Sequence, residues 1–479
     1  MIGRLLFVLS YGTKFLFYKA IRSSDRAFAV FNTAIGELGG IYVKLIQFIC
    51  LRTDIFADDE KMKLLGFFDT VPVEHLDVRA ILKRELGDQS LNQFATLVRE
   101  PFASGTFGQV YRGRLIDGTD VVVKVLRPGL KIKLAFDFFV MHIALFFFTL
   151  FYEQHFIDLK AMLRDFEKST YKELDYQQEA KNGNYFYEKY KNHPHVVIPK
   201  TFEHLTSKTV LVQEYVGGVS VTDVIRNRNA YDGDLRPMIK ELTYEMGLQG
   251  FTMNYFYADP HPGNIKLLGD GKFAFIDFGI VGESPRNRNT YYHIIKEMIA
   301  TSDNMNTRKI SEQFLEWGAA GLSKKLDVLD SYFHNKDRKL KDLVLDKYAT
   351  LLEGYRERFH AIEVVQEENF AQMYLDIVRA GELLGVKIPM GMLATMKTIA
   401  TSKSWVMYLE PDYHCMREVY QEIVDTVNKK YLINADDLEP KTVGMEEAVE
   451  QVLEWVSRVA EKDFAWYNEV RASLGSAYA

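Results

Sequence analysis

The sequence predicts an α+β fold in which helical regions flank a small β-rich region. Apolar residues recur at helical spacing in residues 27–52, in 131–190 and over most of the chain after 218. Between them, "GQVYRGRL" and "DVVVKVLR" predict two strands joined at the Asp-Gly of "IDGT", and "HVVIPKTFEHL" with "KTVLVQEYVGG" predicts a second strand pair. Strands grouped apart from helices in this way are typical of α+β chains.

Composition sets the class of protein and excludes several functions. The chain has 479 residues, of which 47% are hydrophobic and 13% aromatic, enough for two or three packed subregions. A formal net charge of -6 gives no basic surface for nucleic acid, so we expect no nucleic-acid partner. Cys50 and Cys415 lie far apart without His or Cys at ligand spacing, which predicts neither a disulfide nor a zinc site and fits a reducing cytosol.

Two apolar stretches raise the question of a membrane. Residues 138–152 are apolar for about 15 residues, short of the roughly 20 that a spanning helix needs, and predict a buried or interfacial helix. Residues 1–24 are apolar and basic, with no acidic residue before Asp25. This pattern is typical of an interfacial helix or a transit peptide, although an ordinary helix packed on its own domain would have it too. We expect at most a peripheral membrane contact.

The stretch "YADPHPGNIKLLGDGKFAFIDFG", residues 257–279, contains candidate catalytic and metal-binding groups. "IKLL" and "FAFI" predict the arms of a hairpin around "GDGK", pairing Leu268 with Phe273 and bringing Asn264 beside Asp277. These hard oxygen ligands suit Mg²⁺. Asp259 precedes Asn264 by the Asp-to-Asn step of the kinase catalytic loop, where the Asp faces the attacking hydroxyl and the Asn holds metal. The alternative is a hairpin with solvated polar ends.

A candidate phosphate loop lies in the β-rich region. "ASGTFGQVYRG" matches the Gly-rich pattern G-x-G-x-x-G-x-V, with Ala103 in the first glycine position, Gly105 and Gly108 in the others, Thr106 between them and Val110 following. Glycine allows the backbone to approach a phosphate closely and to adopt positive φ. Such turns are common, so the match depends on the strand that follows.

That next strand, "VVVKV", carries Lys124, whose ammonium is expected to reach the α and β phosphates of a nucleotide. A lone strand lysine is more often a surface residue, and the neighbouring motifs favour the functional interpretation. "LVQEYVGG" resembles the linker between kinase lobes, whose backbone at Glu214 and Val216 would bind adenine. Ordinary edge strands look similar.

Lys124 needs a carboxylate partner, and "YKELDYQQEAKN" offers three. We expect Glu179 to be the partner, with Glu173 and Asp175 as competitors. After "DFG" the chain returns directly to helical spacing, without a long activation segment and without "APE". This absence argues against a peptide acceptor and for a small or lipidic acceptor or plain ATP hydrolysis.

Five motifs of this sequence resemble those of the UbiB/AarF family of atypical kinases, called the ADCK group in eukaryotes. They are "KLIQ", the loop at 103–108, "VVVKVLRPG", "ELDYQQEA" and "ADPHPGN" followed by "DFG". The match covers roughly residues 35 to 290. The resemblance implies a two-lobed protein-kinase-like fold with an amino-terminal helical extension across the nucleotide cleft and a helical insertion before the αC-type helix. It also implies ATPase activity and a role in ubiquinone or isoprenoid lipid metabolism at membranes. Gly105 departs from the Ala that the family favours there.

The family's K-x-G-Q signature would lie on the extension. Lys44 and Gln47 are three residues apart and so share a helix face, which the resemblance implies would let Lys44 reach Glu173 and Asp175 across the cleft. Ile46 stands where the family has Gly and adds bulk to that face.

The resemblance divides the chain into four predicted parts. Residues 1–90 form the extension, 91–217 the kinase-like N-lobe with its insertion, 218–340 the C-lobe with the catalytic and metal-binding loops, and 341–479 a helical carboxy-terminal region. The last region includes an amphipathic, charged stretch from residue 445 and no spanning run, unlike family members that end in spanning helices.

The leading functional hypothesis is a kinase or ATPase that uses ATP or ADP with Mg²⁺ and supports a lipid or quinone-precursor pathway. One alternative is a small-molecule kinase of the aminoglycoside or choline kinase kind. Another is a non-catalytic, nucleotide-regulated protein that binds a lipid or a partner. We expect a cytoplasmic location, with peripheral contact at the inner face of the membrane as an open alternative.

Overall fold

The computed structural model describes residues 73–151, 159–284, 306–318, 322–333, 339–360 and 415–430 without a break, together with scattered residues such as Lys44 and Trp405. Within these continuous ranges the α-helices are α1 Val78–Leu86, α2 Leu130–Phe151, α3 Leu159–Lys172, α4 Tyr176–Tyr190, α5 Val221–Arg226, α6 Leu235–Thr252, α7 Thr307–Gly318, α8 Leu322–Phe333, α9 Leu340–His360 and α10 Met416–Lys430. The strands are β1 Phe94–Ser104, β2 Gly108–Leu115, β3 Asp120–Leu126, β4 Val196–Val197, β5 Val210–Glu214, β6 Val219–Ser220, β7 Tyr255–Tyr257, β8 Ile265–Leu267, β9 Phe273–Phe275 and β10 Val281–Glu283. The α+β prediction is confirmed.

The chain forms two compact units. The first contains Met1–Gly218 and Ala274–Ile280, and the second contains Val219–Phe273 and Val281–Ala479. Gln47, Ile46, most of residues 1–24 and most of the stretch from 445 lie outside the described residues.

In the first unit an antiparallel sheet has the strand order β1-β2-β3-β5. The predicted turn at "IDGT" is confirmed, because Gly118 has φ 90° and the Asp117 carboxylate accepts a hydrogen bond from Thr119 N at 2.9 Å. One face of the sheet buries valines of β3 and β5 against α1. Alternation along β3 places Lys124 on the opposite face.

The predicted helical segment 131–190 is three helices, α2, α3 and α4. Apolar residues of all three helices, such as Phe138, Phe166 and Ala180, share a core with Ile41 and Tyr42 of the amino-terminal extension. No helix among the described residues combines the length and the apolar character that crossing a membrane requires.

The second predicted strand pair forms only in part. Thr201 bridges Gln213 of β5, but β4 belongs to a different sheet from β5. Pro199 lies between β4 and this bridge and has no backbone N–H to donate, so one continuous row of strand hydrogen bonds cannot run from β4 to Thr201.

In the second unit, α6 is a largely buried helix on which α10 packs. A Cβ at Gly247 would lie 2.6 Å from Ile423 Cδ1, so glycine permits this close helix contact. Strand β6 pairs with β8 and β7 pairs with β10, both antiparallel. Asp270 and Gly271 have φ of 60° and 70°, as the predicted tight turn requires. Leu268 N donates to Lys272 O at 2.8 Å, so this turn closes one residue before the predicted Leu268–Phe273 pair.

Candidate functional site

The Gly-rich loop joins β1 to β2 and is closed by a hydrogen bond from Gly105 N to Gly108 O at 2.9 Å. The register brings Ala103 opposite Val110. Neither Gly105 nor Gly108 has a positive φ. Gly108 is required for a different reason, because a Cβ there would lie 2.6 Å from Val125 O and 2.7 Å from Tyr176 Oη.

Gly105 and Thr106 form the more open part of this loop. The nearest atom to a Cβ built at Gly105 lies 3.7 Å away, which is ordinary van der Waals contact. An alanine, the residue that the resemblance favours at this position, would therefore fit. Thr106 is half-buried beside it.

Arg127 holds the loop, and the sequence interpretation missed it. Its Nη2 donates to Ser104 Oγ at 2.9 Å and to Gly105 O at 3.2 Å, while its backbone N donates to Phe107 O at 2.9 Å. Its Nη1 lies 2.6 Å from the carboxylate of Glu74. The available signal was an arginine placed directly after an apolar strand in "VVVKVLRPG". Since a buried guanidinium must be paired, these contacts constrain the loop backbone.

Lys124 lies at the centre of a buried charge cluster. Its Nζ is 2.6 Å from Glu179 Oε1 and 3.0 Å from Asp277 Oδ2. Glu179 lies in the first turn of α4, where Asp175 caps the helix by accepting hydrogen bonds from Gln177 N and Gln178 N. The structure therefore pairs Lys124 with Glu179 and not with the competing Glu173 or Asp175.

The pKa values follow from the charges of this cluster. Burial lowers the pKa of Lys124, but the carboxylates of Asp277 and Glu179 outweigh it and raise this pKa above its usual 10.5. Burial and the repulsion of Asp277 raise the pKa of Glu179 to about 7, despite the opposing effect of Lys124. Burial opposes ionisation of Asp277, but Lys124 and the Gly279 N–H hold its pKa below 3.8. With both carboxylates ionised, the three groups carry one net negative charge.

The segment that carries Asp277 is fixed on both sides. Gln213 Nε2 donates to Ile276 O at 2.9 Å, and Asn182 Nδ2 donates to Phe278 O at 2.9 Å. The Phe278 ring stacks on Phe186 of α4 with centroids 5.1 Å apart. Sequence reasoning missed Gln213, although a single amide in the apolar strand "VLVQE" was a usable signal.

Lys44 of the extension forms an ion pair with Glu173, and its Nζ lies 4.3 Å from the centroid of the Phe107 ring in the Gly-rich loop. The resemblance implied that Glu173 and Asp175 would both meet Lys44. Asp175 instead caps α4, because its carboxylate accepts the free N–H groups of the first turn.

Glu214 and Val216 flank Tyr215 at the end of β5. Glu214 Oε2 accepts a hydrogen bond from Lys200 N at 3.0 Å, and Tyr215 N donates to Asp120 O at 2.9 Å. These bonds tie the segment to β3 and to the chain before β5. Adenine binding by the backbone of Glu214 and Val216 stays a prediction.

The candidate catalytic loop lies in the second unit. Asn264 Nδ2 donates to Asp259 Oδ2 at 2.9 Å, and Asn264 N donates to His261 O at 2.8 Å. Because the amide nitrogen faces Asp259, Asn264 Oδ1 points away as an oxygen acceptor. Gln249, buried on α6, accepts a hydrogen bond from Tyr257 N at 2.7 Å. The neighbouring placement of Asn264 and Asp277 stays a prediction.

Comparison with known proteins places these motifs in context. Residues 67–311 match the family model of the ABC1 atypical kinase-like domain. An uncharacterized chloroplastic aarF domain-containing protein kinase of Arabidopsis thaliana is 26% identical over 82% of this chain and 74% of that protein. A "Probable protein kinase UbiB" of Cellvibrio japonicus is 26% identical over 79% of this chain and 65% of that protein.

A solved structure of the Rv3197–erythromycin complex from Mycobacterium tuberculosis shares the fold. It has a TM-score of 0.51 and 20% identity, and the match covers 85% of this chain and 97% of that chain. The kinase-like fold implied by the sequence is therefore confirmed. The chain spans about two thirds of the Cellvibrio japonicus relative and 42% of a Synechocystis relative that is 30% identical.

The two loop glycines should respond differently to substitution. Gly108→Ala should lower the free energy of unfolding by about 1–3 kcal/mol, because its methyl group meets backbone oxygen. Gly105→Ala, the matched control, should change it by less than about 0.5 kcal/mol. Urea unfolding measures both. Equal losses in the two variants would contradict this explanation of the loop.

Stability should fall with rising pH through the titration of Glu179. Its pKa is about 7 in the folded protein and 4.5 in the unfolded chain, so between these values the folded state binds more protons. The free energy of unfolding of the metal-free protein should therefore drop by roughly 1–3 kcal/mol from pH 5 to 8. The shifted pKa values of Asp277 and Lys124 place their titrations below and above this window. Glu179→Gln should flatten the profile, and an unchanged slope would exclude Glu179 as its source.

Proposed function

Because this chain belongs to the ABC1 atypical kinase-like family, we propose that it binds Mg-ATP and acts as an atypical kinase or ATPase. One observation carries the proposal: Lys124 is held within 3.0 Å of both Glu179 and Asp277 in the unit that carries the Gly-rich loop. A leucine would pack better than a lysine at a buried position, so a lysine held there between two carboxylates indicates a role for its charge. ADP is the alternative nucleotide.

The residues of the first unit support a phosphate site. Lys124 would bind the α and β phosphates, with Glu179 orienting its ammonium. The backbone of Gly105, Thr106 and Gly108 would cover the phosphates, and Arg127 would hold that backbone in place. The linker at Glu214 and Val216 would bind the base.

The donor set fits Mg²⁺. Asp277 supplies a carboxylate held in its charged form, and Asn264 supplies an amide oxygen turned away from Asp259. Both are hard oxygen ligands, which Mg²⁺ prefers together with phosphate oxygens. The net negative charge of the Lys124 cluster also favours a cation. When bound, Mg²⁺ would neutralise charge on the phosphates.

Asp259 would accept the proton of the attacking hydroxyl or water. The hydrogen bond from Asn264 Nδ2 fixes the carboxylate, so that little reorganisation is needed when the acceptor arrives. Lys44, paired with Glu173 and close to Phe107, would regulate access to the nucleotide through the extension.

We further propose that the protein supports quinone or isoprenoid lipid metabolism at a membrane surface. The sequence lacks the segment that seats a peptide acceptor, which favours a small or lipidic acceptor. Ile132, Phe139 and Phe146 of α2 are 73%, 56% and 55% exposed and follow one another at intervals of seven residues. Residues at this interval share one helix face, and such an apolar face suits peripheral contact with the cytoplasmic side of a membrane.

Hydrolysis of ATP tests this function. Purified protein should hydrolyse ATP only with Mg²⁺, and anionic liposomes should raise the rate. Asp277→Asn should reduce turnover by about two orders of magnitude, as expected when one electrostatic contact to the transition state is lost. Asp270→Asn is the matched control, because it makes the same change at an exposed turn and should leave the rate unchanged.

Other outcomes would identify the alternatives. Binding of Mg-ATP by wild type and Asp277→Asn alike, without turnover, would contradict catalysis and favour a nucleotide-regulated binding protein. Phosphate transferred to a soluble amino alcohol or sugar far above background hydrolysis would favour a small-molecule kinase.

A further inference from the structure

Trp405 contacts the candidate catalytic loop from outside the family domain. The family match ends at residue 311, yet Trp405 Nε1 donates a hydrogen bond to Pro260 O at 3.0 Å. Pro260 directly follows Asp259 in the chain, and Trp405 is only 3% exposed. A residue 145 positions away in sequence therefore binds the backbone next to the proposed catalytic carboxylate.

This hydrogen bond complements the local bonds of the loop. His261 O and Nδ1 accept from Asn264 N and Gly263 N, and Gln249 accepts from Tyr257 N. Those bonds orient the two ends of the loop, while Trp405 holds the carbonyl between Asp259 and His261. The indole N–H is a donor only, and a buried carbonyl that lost it would be left without that partner at an appreciable cost.

The region that carries Trp405 is itself docked on α6, the helix that leads to the loop. Arg236 Nε lies 3.1 Å from the carboxylate of Glu410, and Ser402 lies against Met246 with Oγ and Sδ 3.9 Å apart. Neighbouring Val406 is buried. Trp405 therefore lies in a segment that is itself packed against α6.

Helix α10 extends the same docked surface. Lys240 Nζ lies 2.6 Å from Glu418 of α10, and Tyr244 Oη bonds Thr426 Oγ1 at 3.1 Å. Together with the close approach at Gly247, these contacts hold the carboxy-terminal region against α6.

We propose that Trp405 is a positioning residue for the catalytic loop, so that the carboxy-terminal region supplies part of the geometry of the site. The inference rests on the proposed function of Asp259. Without the indole N–H, the Pro260–His261 peptide, whose carbonyl it holds, can rotate, and the neighbouring Asp259 carboxylate loses its alignment with the acceptor. Lys124 and the Gly-rich loop belong to the other unit and keep their own hydrogen bonds.

Trp405→Phe removes the N–H and keeps most of the ring. We expect kcat for ATP hydrolysis to fall about tenfold, because small misplacements of a reacting group are costly. KM for Mg-ATP should change less than about twofold, since the residues proposed to bind the nucleotide itself, Lys124 and the Gly-rich loop, lie in the other unit. Tyr408→Phe is the control, because it removes one polar group from a side chain that is 64% exposed on the same segment. It should match wild type.

Hydrogen–deuterium exchange gives a readout that does not need activity. In Trp405→Phe the peptide that contains Gly263 and Asn264 should exchange faster than in wild type, while peptides of α6 and α10 stay unchanged. Faster exchange across α6 and α10, with kcat and KM altered together, would show a general structural role and overturn the proposal. Unchanged kcat and unchanged exchange would overturn it as well.

The same experiments separate this inference from the proposed function. If wild type hydrolyses no ATP, the proposed function fails, and exchange in the loop alone decides whether Trp405 positions it. If wild type is active and Trp405→Phe matches it in every readout, the proposed function stands and the inference about Trp405 fails.

Discussion

The ion pairs of Lys124 constrain the rest of the first unit. A buried ammonium is stable only when carboxylates surround it, and here the two partners come from positions 55 and 153 residues further along the chain. Strand β3, helix α4 and the segment after β9 must therefore meet at one point. Within this unit, the hydrogen bonds of Gln213, Asn182 and Arg127 support this arrangement.

Helix α4 contributes to the site through three of its parts. Its capped first turn presents Glu179 to Lys124. The hydroxyl of Tyr176 lies so close to Gly108 that a Cβ there would clash with it, and the Phe186 ring stacks on the Phe278 ring. A single helix thus sets the distance between the Gly-rich loop and the segment that carries Asp277. Arg127 completes this support by holding the loop through Ser104 and Gly105. The excess negative charge that results is a property of the assembled site and of none of its parts alone.

Several predictions from the sequence were right because they depend on local physics. The Asp-Gly turns and the strands around them follow from backbone preferences within a few residues, and the alternation of β3 alone places Lys124 on one face. Two features depend on contacts that the spacing of motifs does not give. Asp175 caps α4 and does not join Lys44, and Gly108 is required because Tyr176 and Val125 lie against it.

The spacing of charged and polar residues along the chain was enough to indicate phosphate chemistry, because the loop, the strand lysine and the Asp-to-Asn step are each contained in a short segment. Tertiary structure decided which carboxylate meets Lys124, that Gln213 and Arg127 hold the backbone of the Asp277 segment and of the Gly-rich loop, and that Trp405 bonds the candidate catalytic loop. These choices depend on hydrogen bonds and packing between segments tens to hundreds of residues apart. A single sequence can mark such residues as unusual but does not name their partners, since many polar residues could satisfy the same donor or charge until the fold brings one of them into contact.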